Sequence, residues 1–376
     1  MEKTEQLQID EFWMQKAIDL ARKGKGFVSP NPMVGCVIVS KEGDLIGKGY
    51  HEKFGEAHAE VNAVESVKDT ALLKDSTVYV SLEPCSHHGK TPPCAALLSK
   101  LPISRVVVAM QDPNPKVNGS GLAQLRNAGV ETEIGVLKDE AEKLNEFFIH
   151  HQLFKRPFVT LKVAQTADGY LAAPDGDSKW ISGKESRKRV HKWRSEYDAV
   201  LVGRSTAMLD NPSLTVRHVK GRQPQRIVLD GPYELPKTLN LFSDKYEEKT
   251  IVVTWNKQAS ATDADPMLKL MQHNYFRGEV IQVSKKNGHI HLKEMLNQLA
   301  EKGITSVLIE GGQHLSSALI KEKLVDKIEL FISPKMLGGG TRSFLNIGVN
   351  KMRDIIRFKE VSWEKIGDDM LLTGYI

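Results

Sequence analysis

Two periodicities alternate along this chain. Residues 12–24 (FWMQKAIDLARKG) carry apolar side chains at helical spacing and stop at Gly24, which predicts a helix. Residues 33–40 and 45–50 are short β-branched and apolar runs on either side of Glu42-Gly43-Asp44, the pattern of a hairpin. The period then switches repeatedly: helix over 58–68, strand over 77–82, helix over 93–100, strand over 105–110, helix over 120–128, strand over 130–136 and helix over 138–149. A hairpin followed by such alternation predicts a mixed sheet with helices on its faces.

The run FFIHHQLFKRP (147–157) closes that series, and Pro157 marks a break. A second series opens with a strand at 158–164 and a helix at 183–195. Strands are predicted at 198–203, 226–230 and 250–255, followed by helix 292–301, strand 305–310, helix 313–321 and strand 326–332. No internal repeat links the two series. The expectation is two α/β domains, 1–154 and 155–376, and 376 residues is more than one hydrophobic core usually supports.

Composition changes this picture little. The chain is 40% hydrophobic and 26% charged with a formal charge of +5, values ordinary for a globular protein and short of the clustered basic footprint of a nucleic-acid binder. No apolar stretch reaches membrane-spanning length, and the acidic, polar MEKTEQLQIDEFW start is unlike a signal peptide. Three cysteines argue against a disulfide framework and for a reducing compartment, so no membrane and a cytoplasmic setting are expected.

What those cysteines do is the sharper question. His58-Ala59-Glu60 is followed by Pro84-Cys85 and then Cys94. One imidazole and two thiolates are good zinc ligands, and three protein ligands leave a fourth position for water. Hydrolytic deamination also needs a proton carrier beside the metal, and Glu60 is placed for it. His58 and Glu60 must sit in the first turn of their helix, because two residues apart in mid-helix they would point to different faces. Cys94 opens another predicted helix, whose N-terminal dipole favours thiolate. A closed structural zinc site, with Cys36, His87 or His88 as fourth ligand, is the rival reading; it leaves Glu60 unexplained.

In the general cytidine-deaminase pattern the second cysteine follows two residues after the first, whereas here eight residues intervene. That longer insert, ending Gly89-Lys90-Thr91-Pro92-Pro93-Cys94, resembles the deaminase domain of the bifunctional riboflavin-biosynthesis deaminase–reductase family. So do Asn31, Pro32, Val34 and Gly35, the run Gly49-Tyr50-His51, the run Gly55–Glu60, and Asp112-Pro113-Asn114-Pro115. The resemblance implies a zinc-dependent deamination of a diaminopyrimidinone carrying ribose phosphate. It makes His58, Cys85 and Cys94 the metal ligands, Glu60 the catalytic residue, and Asn31, His51, Lys90, Asp112 and Asn114 substrate contacts. Asn and Asp suit the ring's donors and acceptors, and Lys90 suits a phosphate. Outside the family, Asn31 and Asn114 also suit plain turn chemistry beside proline.

The second half offers less by itself. Strand 305–310 runs through Glu310-Gly311-Gly312 into a helix, a ready anion site, while the absence of G-x-G-x-x-G leaves a Rossmann site unindicated. Gly338–Gly340 reads as a flexible turn. Residues 161–169, 176–182, 203–206 and 210–217 are similar to the reductase domain of the same family, which resembles dihydrofolate reductase. One departure is that many relatives carry serine near Thr166-Ala167; this chain keeps a hydroxyl in Thr166.

That resemblance implies NADPH held by Ala164, Trp180, Thr206, Asp210 and the Gly312, Gln313, His314, Leu315, Ser316, Ser317 and Ala318 turn. It implies substrate held by Lys162, Ser178, Arg194, Leu214, Arg217 and Glu310, with Arg194 and Arg217 clamping phosphate through forked donors. Taken alone, Trp180 reads as a core residue, Arg194 as a surface-helix charge and Arg217 as a strand-end charge. The whole implies an α/β chain with a cytidine-deaminase-like three-layer domain and a dihydrofolate-reductase-like domain. It would be a homodimer or homotetramer acting on a small pyrimidine ribose phosphate, with no nucleic acid as partner. A zinc-dependent deaminase of tRNA or single-stranded nucleic acid, and a zinc-stabilised binding module without catalysis, are the alternatives.

Overall fold

The computed structural model describes residues 3–86, 92–114, 118–256 and 276–376. The chain divides into two compact units, Met1–Lys155 and Arg156–Ile376.

The first unit is built on strands β1 (Gly35–Val39), β2 (Leu45–Tyr50), β3 (Thr77–Val80), β4 (Arg105–Val108) and β5 (Glu131–Ile134), ordered β2-β1-β3-β4-β5. The hairpin pairs β2 with β1 antiparallel, β1 runs antiparallel to β3, and β3, β4 and β5 are mutually parallel. Period-2 alternation splits the strand residues between two cores. Cys36, Ile38, Val78, Val80, Val106 and Val108 meet Ala59, Ala63, Leu98, Leu122 and Leu125 on one face. Val37, Val39, Tyr79 and Val107 meet Met14, Ala17, Ile18, Ala141 and Phe148 on the other. Burial on both faces of β1, β3 and β4 is why these strands read as apolar runs, and the result is three layers.

Three features depart from the sequence expectation. The first helix spans Lys3–Ala21, beginning well before residue 12. Its polar start is recruited by tertiary partners: buried Asp10 accepts both arms of the Arg105 fork, at 2.7 and 2.9 Å, and the Tyr79 hydroxyl at 2.9 Å. The helix expected over 138–149 is two, Lys138–Leu144 and Glu146–Phe154. Between them, the buried Asn145 amide accepts from Met33 N at 2.8 Å and donates to Met33 O at 3.0 Å. The second of these helices runs through most of the stretch 147–157 that closes the first series.

The second unit holds a nine-stranded sheet. Its strands are β6 (Phe158–Thr166), β8 (Ala199–Gly203), β9 (Gln225–Leu229), β10 (Thr250–Thr254), β11 (Glu279–Gln282), β14 (Ser306–Ile309), β15 (Lys327–Ser333), β17 (Lys359–Ile366) and β18 (Asp369–Tyr375). The order is β11-β10-β9-β8-β14-β6-β15-β18-β17. Everything from β11 to β15 is parallel, and the C-terminal β17–β18 hairpin adds the antiparallel edge. That hairpin was not expected from the sequence: β17 is exposed along almost its whole length, so it carries no buried-face pattern. Two small ribbons complete the unit, β7 (Tyr170–Ala172) with β16 (Thr341–Arg342) and β12 (Lys285–Lys286) with β13 (His289–Ile290).

The main core packs Val159, Leu161, Leu201, Ile227, Val253, Val307 and Ile309 against Met295, Leu296, Leu299 and Leu319 from two helices. The carboxyl ends of β6, β8 and β14 lie side by side, which is where open parallel sheets place their ligands. No helix among the described residues is long and apolar enough to cross a membrane.

Candidate active sites

In the first unit the backbone brings two helix starts and one strand exit together. His58 is the N-cap of the helix Ala59–Glu65, so Glu60 lies in its first turn. That helix can lie against β2 because Gly49 has no side chain: a Cβ there would come within 2.4 Å of Ala63 N. Cys85 follows β3, and Cys94 is the first residue of the helix Cys94–Leu98. The Nδ1 of His58 lies 3.6 Å from Cys85 Sγ and 3.4 Å from Cys94 Sγ. All three ligand atoms lie within 4.8 Å of one another, and among the described residues this is the one such group.

The electrostatics suit a cation. Cys94 N, at the helix start, donates to Cys85 Sγ at 3.4 Å, so the same helix start that carries Cys94 also supports thiolate at Cys85. The hydrogen bond from Cys94, and then those from His58, pull the Cys85 pKa down against burial, while the hydrogen bond to Cys85 and burial push Cys94 up. Burial first, and the Cys85 thiolate second, push the buried Glu60 carboxyl up to about 7. A divalent cation on the three ligands acts in the opposite direction. Cys36 stays in β1, fully buried, outside the cluster.

Of the remaining candidates, His51 packs edge-on against His58 with ring centroids 5.5 Å apart. His51 Nδ1 donates to Ala57 O at 3.0 Å, so its Nε2 accepts from Asn31 Nδ2 at 3.2 Å. Burial lowers the His51 pKa and keeps the ring neutral. Both ring nitrogens are thereby used within the protein, and it is Asn31 that keeps a carbonyl oxygen to offer. Asp112 is buried at the far end of β4, and its Oδ1 accepts from Asn114 N at 2.8 Å. Lys90, His87 and His88 lie outside the described residues. One contributor escaped the sequence reading: Glu83, buried next to Pro84-Cys85, accepts hydrogen bonds from the loop that carries Asp112 and Asn114. The signal available was a carboxylate at the end of an apolar strand, directly beside a metal ligand.

In the second unit, Lys162 of β6, Glu310 after β14 and Arg194 of the helix Lys184–Glu196 converge. Arg194 Nε and Nη2 grip Glu310 at 2.6 and 3.0 Å, and Nη1 donates to Thr215 O at 3.0 Å. Lys162 Nζ stands 3.9 Å from Glu310. Burial works against the Glu310 charge, but Arg194 and Lys162 outweigh it and leave the carboxyl at about 2. Burial lowers the Lys162 pKa against the pull of Glu310. Partial enclosure raises Asp210, opposed by Lys179 and Lys162.

Two residues depart from what they suggest taken alone, Arg194 as a surface-helix charge and Trp180 as core. Three of the five Arg194 N–H donors are used within the protein, on Glu310 and Thr215, and its side chain is 11% exposed. The Leu214 side chain is buried, and its backbone stands at φ +51°. Trp180 is 64% exposed, not a core residue, and stacks against the Arg187 guanidinium at 4.3 Å from the ring centroid. Arg217 is exposed, and its backbone N–H donates to Nδ1 of buried His191 at 3.1 Å. His191, unnoticed within a basic run, thus anchors this segment together with Arg194. The Thr166 hydroxyl is spent on Asp168 at 2.6 Å and on Tyr170 N at 3.0 Å. Ser178 is half-buried, in the same loop as Trp180. Ala164 of β6 packs beside Val190 and Phe331.

A cradle for an anionic cofactor is present. Gly312 caps the helix Gln313–Lys321, and a Cβ on it would lie 3.6 Å from Thr206 Oγ1, in the first turn of the neighbouring helix Arg204–Asp210. Ser316 Oγ is buried and has no hydrogen-bond partner among the described residues. Two adjacent helix starts, a glycine pair and an orphaned hydroxyl fit the phosphates of a dinucleotide. Ser317 Oγ, by contrast, already accepts from Leu345 N at 2.8 Å, Leu315 and Ala318 pack on the core, and exposed His314 and half-buried Gln313 open the helix.

Residues 7–110 match the family model of the cytidine and deoxycytidylate deaminase zinc-binding region, and residues 157–372 match that of the RibD C-terminal domain. Fold and site together define a zinc-dependent deaminase joined to an NADPH-dependent reductase. The chain belongs to the RibD family, the bifunctional deaminase–reductases of riboflavin biosynthesis. It is 42% identical to the riboflavin biosynthesis protein RibD of Aquifex aeolicus, over 97% of this chain and 98% of the relative. It is 40% identical to that of Actinobacillus pleuropneumoniae, over 96% and 93%. Among solved structures it is similar to RibD of Acinetobacter baumannii, at TM-score 0.86 and 37% identity with 98% and 99% of the chains covered. The Thermotoga maritima deaminase/reductase gives 0.84 and 38% with the same coverage. The nucleic-acid deaminase alternative is set aside.

Proposed function

We propose that the Met1–Lys155 unit deaminates 2,5-diamino-6-(ribosylamino)pyrimidin-4-one 5'-phosphate and that the Arg156–Ile376 unit then reduces the ribosyl group to ribityl. The related Thermotoga protein is described as a diaminohydroxyphosphoribosylaminopyrimidine deaminase and 5-amino-6-(5-phosphoribosylamino)uracil reductase, which supports this substrate and this order. The observation that carries the deaminase assignment is buried Glu60 in the first turn beside the His58, Cys85 and Cys94 triad.

His58, Cys85 and Cys94 would hold zinc, which when bound lowers the pKa of a water in its fourth position toward neutrality. Glu60 accepts a proton from the attacking water and passes it to the leaving amine. The water oxygen bonds to the ring carbon, the carbon–nitrogen bond breaks and ammonia departs. Asn31, Asp112 and Asn114 read the pyrimidine ring and Lys90 meets the phosphate, while His51 holds the Asn31 amide in register through its fixed tautomer.

In the second unit, Gly312 through Ala318, with Ala164, Trp180, Thr206 and Asp210, would hold NADPH, which when bound supplies hydride to C1 of the ring-opened ribose. Lys162, Ser178, Glu310 and the Leu214 backbone bound the sugar site. Arg217 meets the phosphate, and Arg194 and His191 hold its segment in place. The thiolate pair needs a reducing, cytoplasmic setting, and an assembly of two or four chains is what the family resemblance favours.

A single-turnover experiment on zinc-loaded protein, read by mass spectrometry, tests the reading. Loss of the amine without cofactor, then a gain of two hydrogens once NADPH is added, is the expected sequence. No reaction with zinc confirmed in place would overturn the substrate assignment.

A further inference from the structure

Glu83 is 3% exposed and carries a carboxylate into the interior of the first unit. A buried carboxylate is costly unless its lone pairs are met. Here four backbone N–H groups meet them. Oε2 accepts from Asp112 N at 3.2 Å and Gly119 N at 2.9 Å; Oε1 accepts from Gly121 N at 3.1 Å and Leu122 N at 3.4 Å. One oxygen therefore holds both described ends of the loop that bears Asp112 and Asn114. The other holds the first turn of the helix Ser120–Asn127 that ends that loop.

The same helix start is also held against the Pro84–Ser86 segment. Gly121 lies so close to Pro84 that a Cβ would come within 2.0 Å of the Pro84 carbonyl oxygen. Ser86 Oγ and Ser120 Oγ are 2.5 Å apart. Glu83 N also donates to Met110 O at 3.0 Å, at the root of the loop. Two residues beyond Glu83 stands Cys85, so one side chain ties the segment that carries a metal ligand to the loop that bears Asp112 and Asn114. An amide cannot replace it: glutamine offers one accepting oxygen and turns an NH2 group against two N–H donors.

From this we infer that Glu83 is a positioning residue of the deaminase site, setting Asp112 and Asn114 at their working distance from the metal-ligand segment. The inference rests on the proposed reading of Asp112 and Asn114 as substrate contacts. Glu83 touches neither the reacting atoms nor the metal ligands' donor atoms, so its effect falls on substrate affinity.

The test is the full-length, zinc-loaded protein carrying Glu83→Gln, assayed with the diaminopyrimidinone ribose phosphate. Zinc per chain and reductase turnover stay at wild-type values. Deaminase KM rises about tenfold or more, as expected for loss of charge-assisted hydrogen bonds, while kcat stays within about threefold. Glu83→Asp, one methylene shorter but still a four-acceptor carboxylate, recovers part of the KM loss. It also carries the comparison if the Gln variant does not fold. An unchanged KM, a fall confined to kcat, loss of zinc, or an Asp variant worse than Gln would each overturn the assignment. Asn114→Ala separates this from the reading beneath it. If it raises KM and E83Q does not, the role of Glu83 alone is wrong; if it leaves KM unchanged, the loop does not read the substrate.

Discussion

Arg194 and Glu310 grip each other through two parallel hydrogen bonds, Nε to Oε1 at 2.6 Å and Nη2 to Oε2 at 3.0 Å, with side chains only 11% and 10% exposed. The third Arg194 nitrogen reaches Thr215 O, two residues before Arg217. Arg194 therefore ties the exit of strand β14 to the Leu214–Arg217 segment. Lysine cannot make this three-pronged contact. Arg194→Lys is expected to leave Glu310 buried and half-paired, to cost about 3 kcal/mol by denaturant unfolding, and to raise reductase KM with the deaminase rate unchanged. A reductase KM at the wild-type value would remove Arg194 from any role in placing Arg217.

The same neighbourhood predicts how stability follows pH. Burial first, and then the charges of Arg194, His218 and Arg217, hold His191 down to about 4 from its ordinary 6.5, with Glu310 opposing. The unfolded chain binds more protons than the folded one between those values. The contribution is thus complete above pH 6.5 and is lost as pH falls toward 4, amounting to about 3 kcal/mol in all. Glu310, depressed to about 2, adds a further loss below its ordinary 4.5. His191→Gln keeps an acceptor for Arg217 N but does not titrate. Its unfolding free energy is expected to vary less between pH 6.5 and 4 than that of the wild type, and an equal slope would show that another group carries the dependence.

Glu60 separates metal binding from chemistry. Its carboxylate is not among the three ligands, so Glu60→Gln is expected to retain one zinc per chain. Without a proton carrier, deamination falls by about 100-fold or more, while NADPH-dependent reduction of pre-deaminated substrate proceeds at the wild-type rate. Zinc analysis and the two separate assays check all three statements, and retained deamination would hand proton transfer to another group.

What the sequence disclosed and what it hid have physical reasons. The strands buried on both faces, and the helices that cover them, leave apolar runs and helical spacing that can be read directly. His58, Glu60, Cys85 and Cys94 were legible because ligand chemistry restricts residue types and spacing. Arg194 was misplaced because a charge shows its sign in sequence but not its partner, and Glu310 lies 116 positions away. Trp180 read as core because bulk suggests burial; its stacking on Arg187 depends on a loop that no periodicity describes. Glu83 and Asn145 escaped because their partners are backbone groups, which every residue possesses and no motif records. Exposed β17 carried no pattern at all.

The early start of the first helix supplies the last prediction. Residues 3–11 lack an apolar stripe that would hold them as a helix, and short helices are marginal without tertiary packing. Asp10, 2% exposed, is what docks them, binding Arg105 at the start of β4 and Tyr79 within β3. Asp10→Ala leaves a guanidinium 14% exposed, with Glu131 at 3.7 Å as its remaining acidic neighbour, and a phenol without its acceptor. The expected cost is about 3 kcal/mol, a fall in Tm of roughly 6–12 °C for a unit of this size. Hydrogen exchange should rise across residues 3–11 while zinc content holds, because His58, Cys85 and Cys94 draw on other elements. Protection of those amides unchanged from wild type would mean that the apolar residues after position 11, not Asp10, hold the helix start in place.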